Sequence, residues 1–248
     1  MKRTANVPQP IATLVDHLAN LPQVVAVTDQ GSRGTGPDLT DADWNLGLYY
    51  FGGFDPNSLS HLEGTVSAPG DWGRVRNGGA DLMVSGLTVK IHYRDVDEVG
   101  HWIQEAQQGR FEVDSGLGYL AGIPTYTLAA EVVLGRVLAG SLDDPVDYPD
   151  RLAEEGANRW RRHAESSLDH ADLQATNGDV AGVMGHLARA CVEAAHARLC
   201  AARKWTLNEK EILERAELTH MNQILTALNT DPVTLTQRVM QARTLLLD

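Results

Sequence analysis

A glycine–serine turn and the strand after it contain the first residues of this sequence that could do chemistry. Gly31 and Ser32 lie in a glycine-rich loop, and after ten further residues Asp43 and Asn45 follow on an apolar segment. Positions i and i+2 of a strand point to one face, so these two side chains are predicted to share a site. Their oxygens could coordinate a hard cation, and the N–H groups of the turn could bind phosphate. Ser32 therefore either contacts a phosphate or shapes the turn.

A predicted hairpin adds two more polar side chains to this face. The residue pattern of 80–85 and 87–93 predicts antiparallel strands joined at a Ser-Gly turn. A two-residue turn sets the register so that Asp81 lies opposite Lys90, where the two could form a cross-strand ion pair. His92 is two residues beyond Lys90 and so shares its face. We therefore expect these residues to line the same site as the acidic strand.

A mixed α/β half of the chain positions these residues, and an all-helical half follows it. Further strands are predicted at 24–27 and 44–50, whereas 52–78 is rich in Gly, Ser and Pro and predicted to be irregular. The predicted fold class is α+β: a mixed sheet with flanking helices in residues 1–148, then a C-terminal helical bundle in residues 149–248. The helices are predicted at 9–20, 96–107, 125–139, 150–173, 179–204, 208–215 and 234–247.

Composition restricts the classes of partner. The 248 residues carry 33 acidic and 21 basic side chains, a formal net charge of −12, which disfavours broad nucleic-acid binding because like charges repel. No apolar run is long enough for a membrane span, and the first ten residues lack the apolar core of a signal peptide. We expect a cytoplasmic protein with no nucleic-acid or membrane partner. The sequence does not define an oligomeric state.

The helical half offers weaker candidates. Cys191 and Cys200 are nine residues apart on one predicted helix and so lie on opposite faces, which argues against a disulfide or a zinc site. Glu193, His196 and Glu209 are either residues of an acceptor site or ordinary residues of the bundle surface.

The Gly31-Ser32 turn, followed at this spacing by Asp43-Trp44-Asn45-Leu46, resembles the nucleotidyltransferase superfamily. The likeness extends over nearly the whole chain, and the later blocks are similar to bacterial members that modify small molecules. These blocks are Asn77-Gly78-Gly79-Ala80, Tyr93-Arg94-Asp95, Gly109-Arg110-Phe111-Glu112-Val113, Leu134-Gly135-Arg136-Val137-Leu138 and Trp205-Thr206-Leu207-Asn208-Glu209-Lys210.

The resemblance implies a nucleoside triphosphate donor, a small hydroxylated acceptor such as an aminoglycoside or a lincosamide, and Mg²⁺ held by three carboxylates. Asp43 fills the first carboxylate position, but Asn45 occupies the second and Lys90 the third. An amide is a weaker ligand than a carboxylate, and an ammonium repels Mg²⁺, so the metal is expected to bind weakly or not at all. The small-molecule site is expected in a cleft between the two domains.

Two further positions have two interpretations each. Arg33 either steers an anionic ligand in the phosphate-binding turn or is simply solvated. Glu131 either acts as the base for an acceptor hydroxyl, as a glutamate beyond the core does in related small-molecule transferases, or is a helix-surface residue.

Three hypotheses for the site stay open. The metal site has decayed and Lys90 neutralises Asp43 and Asp81; or the pocket is repurposed for acid–base or anion-binding chemistry by Lys90 and His92; or Asp43 still holds one Mg²⁺ and nucleotidyl transfer continues. A non-catalytic protein that binds a nucleotide or a metabolite is the alternative to an enzyme.

Overall fold

Six strands form one mixed sheet in the order β3-β4-β5-β2-β1-β8. β2 and β5 are parallel, and every other neighbouring pair is antiparallel. The computed structural model describes residues 7–30, 44–116, 118–143 and 147–247. The sheet strands are β1 (Val24–Asp29), β2 (Trp44–Tyr50), β3 (Gly64–Val66), β4 (Gly79–Val84), β5 (Leu87–Asp95) and β8 (Arg136–Gly140), and a separate pair is formed by β6 (Val113–Asp114) and β7 (Ile123–Pro124).

Helices precede, interrupt and follow these strands. They are α1 (Gln9–Ala19), α2 (Val96–Gln107), α3 (Thr127–Leu134), α4 (Asp150–Thr176), α5 (Val180–Ala201), α6 (Ile212–Arg215), α7 (Met221–Thr226) and α8 (Pro232–Leu247), with a 3-10 turn at Pro56–Leu59. The predicted α+β class, a mixed sheet with flanking helices and helices at the C-terminal end, is confirmed. Across the described part of the chain, no helix is both long and apolar enough to cross a bilayer.

The residues group into two compact units. The first consists of Met1–Ile103 and Leu128–Val146, and the second of Gln104–Thr127 and Asp147–Asp248. The division into domains 1–148 and 149–248 stays a prediction.

In the first unit, the two faces of the sheet differ in chemistry. Alternate residues of β2 (Trp44, Leu46, Leu48 and Tyr50) point into an apolar core that also holds Val89, Ile91 and Tyr93 of β5. The buried stripe of α1 covers this core. The side chains between these positions point to the other, polar face, because successive residues of a strand alternate.

The second unit is built on two long helices. α4 ends at Asn177 and Gly178, where Gly178 has φ +69°, and α5 begins after Asp179, whose carboxylate accepts from the Gly182 N–H at 3.0 Å. A glycine with positive φ after the helix and an aspartate at the N-cap are the usual signals that end one helix and begin the next. Trp160 and Leu168 of α4 and Leu187 of α5 are fully buried in the unit.

One predicted helix is partly wrong. Residues 125–139 were expected to be helical throughout, but α3 ends at Leu134 and Arg136–Gly140 forms the edge strand β8. Gly135 separates the two elements, and β8 pairs with β1 through Val137 opposite Thr28 and Ala139 opposite Val27. The apolar residues that suggested a longer helix satisfy strand pairing equally well, because a short apolar run does not distinguish the two.

Candidate functional site

Half of the predicted site residues fall outside the described residues. They are Gly31, Ser32, Arg33 and Asp43, whose roles stay predictions. The other predicted site residues lie on the sheet and on α3.

The strand pairing places three polar residues in one row across the sheet. Asn45 pairs with Lys90 in the parallel β2–β5 ladder, and Lys90 pairs with Asp81 in the antiparallel β4–β5 ladder. The predicted hairpin register is therefore confirmed. The expected Asp81–Lys90 ion pair is not formed among the described residues, because both side chains extend into solvent, where such a pair is worth little.

The next positions along β5 continue this polar face. His92 pairs with Gly47 of β2 and Arg94 pairs with Tyr49, so His92 and Arg94 follow Lys90 at intervals of two residues. Lys90 is exposed, His92 is partly buried, and Arg94 is only 3% exposed. The face therefore runs from a solvated cation at the Asn45 end to a desolvated one at the Tyr49 end.

Glu131 of α3 lies over the buried end of this face. Arg94 Nε donates to Glu131 Oε2 at 2.5 Å, and Arg94 Nη2 donates to Glu131 Oε1 at 2.7 Å. Glu131 is 8% exposed, so a helix-surface position is wrong for this residue. Both carboxylate oxygens are occupied by a bidentate ion pair, a geometry that orients a side chain firmly. Such a carboxylate is poorly placed to take a proton from an acceptor hydroxyl.

Gln30, just beyond β1, joins this ion pair to His92. Its amide Nε2 donates to Glu131 Oε2 at 3.2 Å, and its Oε1 lies 3.3 Å from His92 Nδ1. An ionised carboxylate only accepts hydrogen bonds, so the amide nitrogen must face Glu131 and the amide oxygen must face His92. His92 Nδ1 must then carry the hydrogen and donate to Gln30. The remaining ring nitrogen, Nε2, keeps a lone pair that can accept from a ligand.

The surroundings of His92 keep its ring uncharged. Burial lowers the pKa of His92 to about 3, and the positive charges of Arg94, Arg76 and Lys90 lower it in the same direction. An imidazole with this pKa is neutral at physiological pH and a weak general base. The same three cations make the local potential favourable to an anion.

The lack of a side chain at Gly47 leaves room for the Gln30 side chain over β2. A Cβ added at Gly47 would overlap the Gln30 amide and the Thr28 hydroxyl, so only glycine leaves this space open. Gln30 is 8% exposed and fills the gap beside His92. The chain of hydrogen bonds from Arg94 to His92 thus depends on the absence of one side chain from β2.

Sequence reasoning missed most of this network. Arg94 belongs to a block that resembles the family, and its spacing of two from His92 could have placed it on the site face. Gln30 and Tyr49 gave no such signal. Gln30 Nε2 lies 3.5 Å from the Tyr49 hydroxyl, a contact set by strand pairing and not by spacing along the chain.

The weaker candidates of the second unit have structural partners. Glu193 is 1% exposed; its carboxylate accepts from Ser167 Oγ at 2.6 Å and from Arg189 Nε at 2.8 Å. His196 is also buried, 3.1 Å from the Tyr126 hydroxyl, so the bundle surface is the wrong location for both. The Glu209 carboxylate accepts two backbone N–H groups, those of residues 120 and 121, and so fixes a loop.

The described residues supply few ligands for a cation. No three His, Cys, Asp or Glu side chains among them are grouped so that they could hold a metal ion. At the row where the resemblance implies the second and third acids, the side chains are the Asn45 amide and the Lys90 ammonium. These two described side chains do not supply the carboxylates through which Mg²⁺ binds, and Asp43, the predicted ligand, lies outside the described residues.

Comparison with known proteins gives distant structural likenesses. No family model matches the sequence, and no curated protein matches it significantly. The chain is similar to a nucleotidyltransferase-like protein from Exiguobacterium sibiricum, with 14% identity, a TM-score of 0.49, and coverage of 96% of this chain and 73% of the other. It is also similar to an aminoglycoside 6-adenyltransferase from Bacillus subtilis, with 9% identity, a TM-score of 0.29, and coverage of 96% and 89%. At such identities, the side chains of the site must decide which chemistry is available.

Proposed function

We propose that this chain is a nucleotidyltransferase-like protein that binds a phosphate-bearing small molecule, of which a nucleoside triphosphate is the first candidate, at the Asn45–Lys90 row. Its metal centre is degraded, so it is a decayed or repurposed relative of the bacterial enzymes that modify small molecules. The observation that carries this proposal is the in-register pairing of β2 and β5, which makes Lys90 and Asn45 neighbours across the two strands.

The charges around this row support anion binding. A two-metal transferase surrounds its cations with carboxylates, because the metals neutralise the phosphates and the attacking oxygen. Here a lysine occupies the central strand position, and Arg76 and Arg94 add positive potential around His92. The ammonium of Lys90 can itself contact a phosphate as a point charge. In this proposal the Lys90 side chain supplies positive charge at the position where the resemblance implies a metal-binding acid.

The state of His92 favours binding over acid–base chemistry. Its ring is neutral at physiological pH and its Nδ1–H is committed to Gln30. Its Nε2 can accept from a hydroxyl or amino group of the ligand, which would orient the ligand beside Lys90. Glu131 is occupied by Arg94 and Gln30, so its role is to hold this arrangement in place.

Isothermal titration with ATP and the other nucleoside triphosphates, each with and without Mg²⁺, tests the proposal. We expect binding that is indifferent to Mg²⁺ and weakened about tenfold or more in Lys90→Ala, the size expected for one charged hydrogen bond. Lys210→Ala removes an exposed lysine from the second unit and is the matched control. Absence of binding by every nucleotide would overturn the proposal.

Two further variants separate a decayed transferase from a repurposed or an active one. If Asn45→Asp combined with Lys90→Asp creates Mg²⁺-dependent transfer to a hydroxylated acceptor, the pocket is a decayed transferase. If the double substitution only abolishes an existing activity, the pocket has been repurposed. Binding that requires Mg²⁺ and vanishes in Asp43→Ala would instead establish one-metal nucleotidyl transfer.

A further inference from the structure

The first unit contains a pocket of about 740 Å³. It lies at the ends of β2 and β5 that are farther from the Asn45–Lys90 row. Tyr50 and Asp95, the last paired residues of these strands, line it. Tyr50 lies five residues beyond Asn45, roughly 16 Å along a strand, so this pocket is separate from the Asn45–Lys90 row. Its volume is within the ordinary range for sites that bind small molecules.

A buried hydroxyl in this pocket has no partner. Tyr93 is 0% exposed and lines the pocket, yet its hydroxyl makes no hydrogen bond. The neighbouring Tyr50 hydroxyl accepts from Asn77 Nδ2 at 2.9 Å and donates to no described residue. Buried polar groups are normally satisfied, so an unpartnered donor in a cavity points to an acceptor atom on a bound molecule.

Two carboxylates of the same pocket keep unused acceptor capacity. Asp95 Oδ1 accepts from the Asp97 N–H at 2.9 Å, and Glu98 Oε1 accepts from Trp102 Nε1 at 2.6 Å. The second oxygen of each carboxylate has no partner among the described residues. Both residues line the pocket and are only partly exposed, so a cationic or hydrogen-bond-donating group of a ligand would find two acceptors there.

The two arginines that line the pocket each have a partner outside this pair of acids. Arg94 forms its bidentate ion pair with Glu131 on the far side of β5. Arg74 lies over the Trp102 ring, with its guanidinium carbon 5.2 Å from the ring centroid. Arg94 is thus bound to Glu131 and not to Asp95 or Glu98. The carboxylates of Asp95 and Glu98 are the negative groups that this lining offers to a ligand.

Apolar groups form the rest of the lining. The Phe54 ring centroid is 5.6 Å from that of Tyr50 and 4.8 Å from that of Tyr93, and Val75 and Val99 also line the pocket. An occupant that matches all of these groups has an amino group, a ring-sized apolar body and an oxygen acceptor. We propose that this pocket binds a small hydroxylated aromatic amine, with its ammonium at Asp95 and Glu98 and its oxygen at the Tyr93 hydroxyl.

Titration of the unmodified full chain with three matched probes tests the proposal without any substitution. Tyramine carries an ammonium, a ring and a hydroxyl; tyrosol replaces the ammonium by a neutral hydroxyl, and 4-hydroxyphenylacetate replaces it by an anion. We expect tyramine to bind at least tenfold more tightly than tyrosol, because tyrosol lacks the one or two charged hydrogen bonds to Asp95 and Glu98. The anion should not bind, because the two carboxylates repel it. Equal binding of all three probes, or no binding of tyramine at millimolar concentration, would overturn the proposal.

Variants then locate the probe. Asp95→Asn combined with Glu98→Gln should weaken tyramine about tenfold or more while leaving tyrosol unchanged. Tyr93→Phe should weaken tyramine but not 2-phenylethylamine, which lacks the hydroxyl; a purely structural effect would weaken both equally and contradict the assignment. Lys90→Ala should leave tyramine binding unchanged. Competition between ATP and tyramine would show that the two sites are one, and the inference would be wrong even if the proposed nucleotide site were correct.

Discussion

Breaking the Arg94–Glu131 ion pair should be among the most damaging single changes in the first unit. The two side chains are 4% and 10% exposed, and their groups are joined by two charged hydrogen bonds. Glu131→Gln keeps the shape but removes the charge, and it places an amide N–H₂ among the donors of Arg94 and Gln30. Removal of one partner of a buried pair costs about 3–5 kcal/mol, because the remaining charge is buried without compensation. That is a large fraction of the roughly 5–15 kcal/mol that stabilises a typical domain.

The companion variants separate the cost of an orphaned charge from the net value of the pair. Arg94→Met should also cost about 3–5 kcal/mol, since it leaves the Glu131 carboxylate buried with only Gln30 as a donor. The double variant Arg94→Met with Glu131→Met removes both charges. Its loss should be smaller than the sum of the single losses by about 2 kcal/mol or more, because neither charge is then orphaned.

Urea unfolding monitored by fluorescence and by circular dichroism measures these free energies, and coincidence of the two probes checks that one transition is followed. Arg203→Ala is the control, because its ion pair with Asp150 has side chains that are 56% and 86% exposed, and its loss should cost under about 1 kcal/mol. Single losses below about 1 kcal/mol, or additive losses in the double variant, would refute the view that this pair is desolvated and coupled.

Three other substitutions have defined outcomes. Gly47→Ala should lower the free energy of unfolding by about 1–3 kcal/mol by displacing Gln30, whereas Gly185→Ala, where an added Cβ meets nothing, should not destabilise. Burial lowers the pKa of His196 to about 3, so the unfolded chain takes up a proton first as pH falls below about 6.5. This residue should cost about 2 kcal/mol of stability between pH 7 and pH 5, so His196→Phe should reduce the pH dependence measured by urea titrations at both values by that amount and leave the share of His92. An unchanged pH dependence would contradict it. Glu209→Gln should speed hydrogen exchange of the two backbone N–H groups it accepts from, and unaltered exchange would count against its role.

The register of the sheet was predictable where local geometry sets it. A two-residue Ser-Gly turn fixes which residues of a hairpin face each other, and the observed pairing of Asp81 with Lys90 follows from it. The positive φ of both turn residues, +53° at Ser85 and +82° at Gly86, suits the type I′ turn that such hairpins prefer. A pattern of two residues is sufficient here because a two-residue turn fixes the register of both strands.

The hydrogen-bond network was not predictable in the same way. Gln30 and Glu131 are 101 residues apart in the chain. They meet because α3 lies over the polar face of the sheet near the end of β1. The sequence identified Glu131 as a possible base, but a bidentate partner decides what a carboxylate can do, and partners separated by long stretches of chain leave no periodic signal. The sequence gives no signal for Gly47 either, because this residue acts by leaving space and not by providing a chemical group.

Each group in that network has one possible role as donor or acceptor. These roles determine which atom His92 offers to a ligand. Arg94 forces Glu131 to be a pure acceptor, Glu131 orients the Gln30 amide, and Gln30 holds the hydrogen of His92 on Nδ1. Reversal at any step would leave two donors or two acceptors facing each other in a buried space, which is costly. The result is a neutral histidine that offers an acceptor two residues along β5 from the Lys90 cation. A ligand that matches this pair carries an anionic group and a nearby hydrogen-bond donor, as a hydroxylated phosphate ester does, whereas a bare divalent cation would meet the repulsion of Lys90.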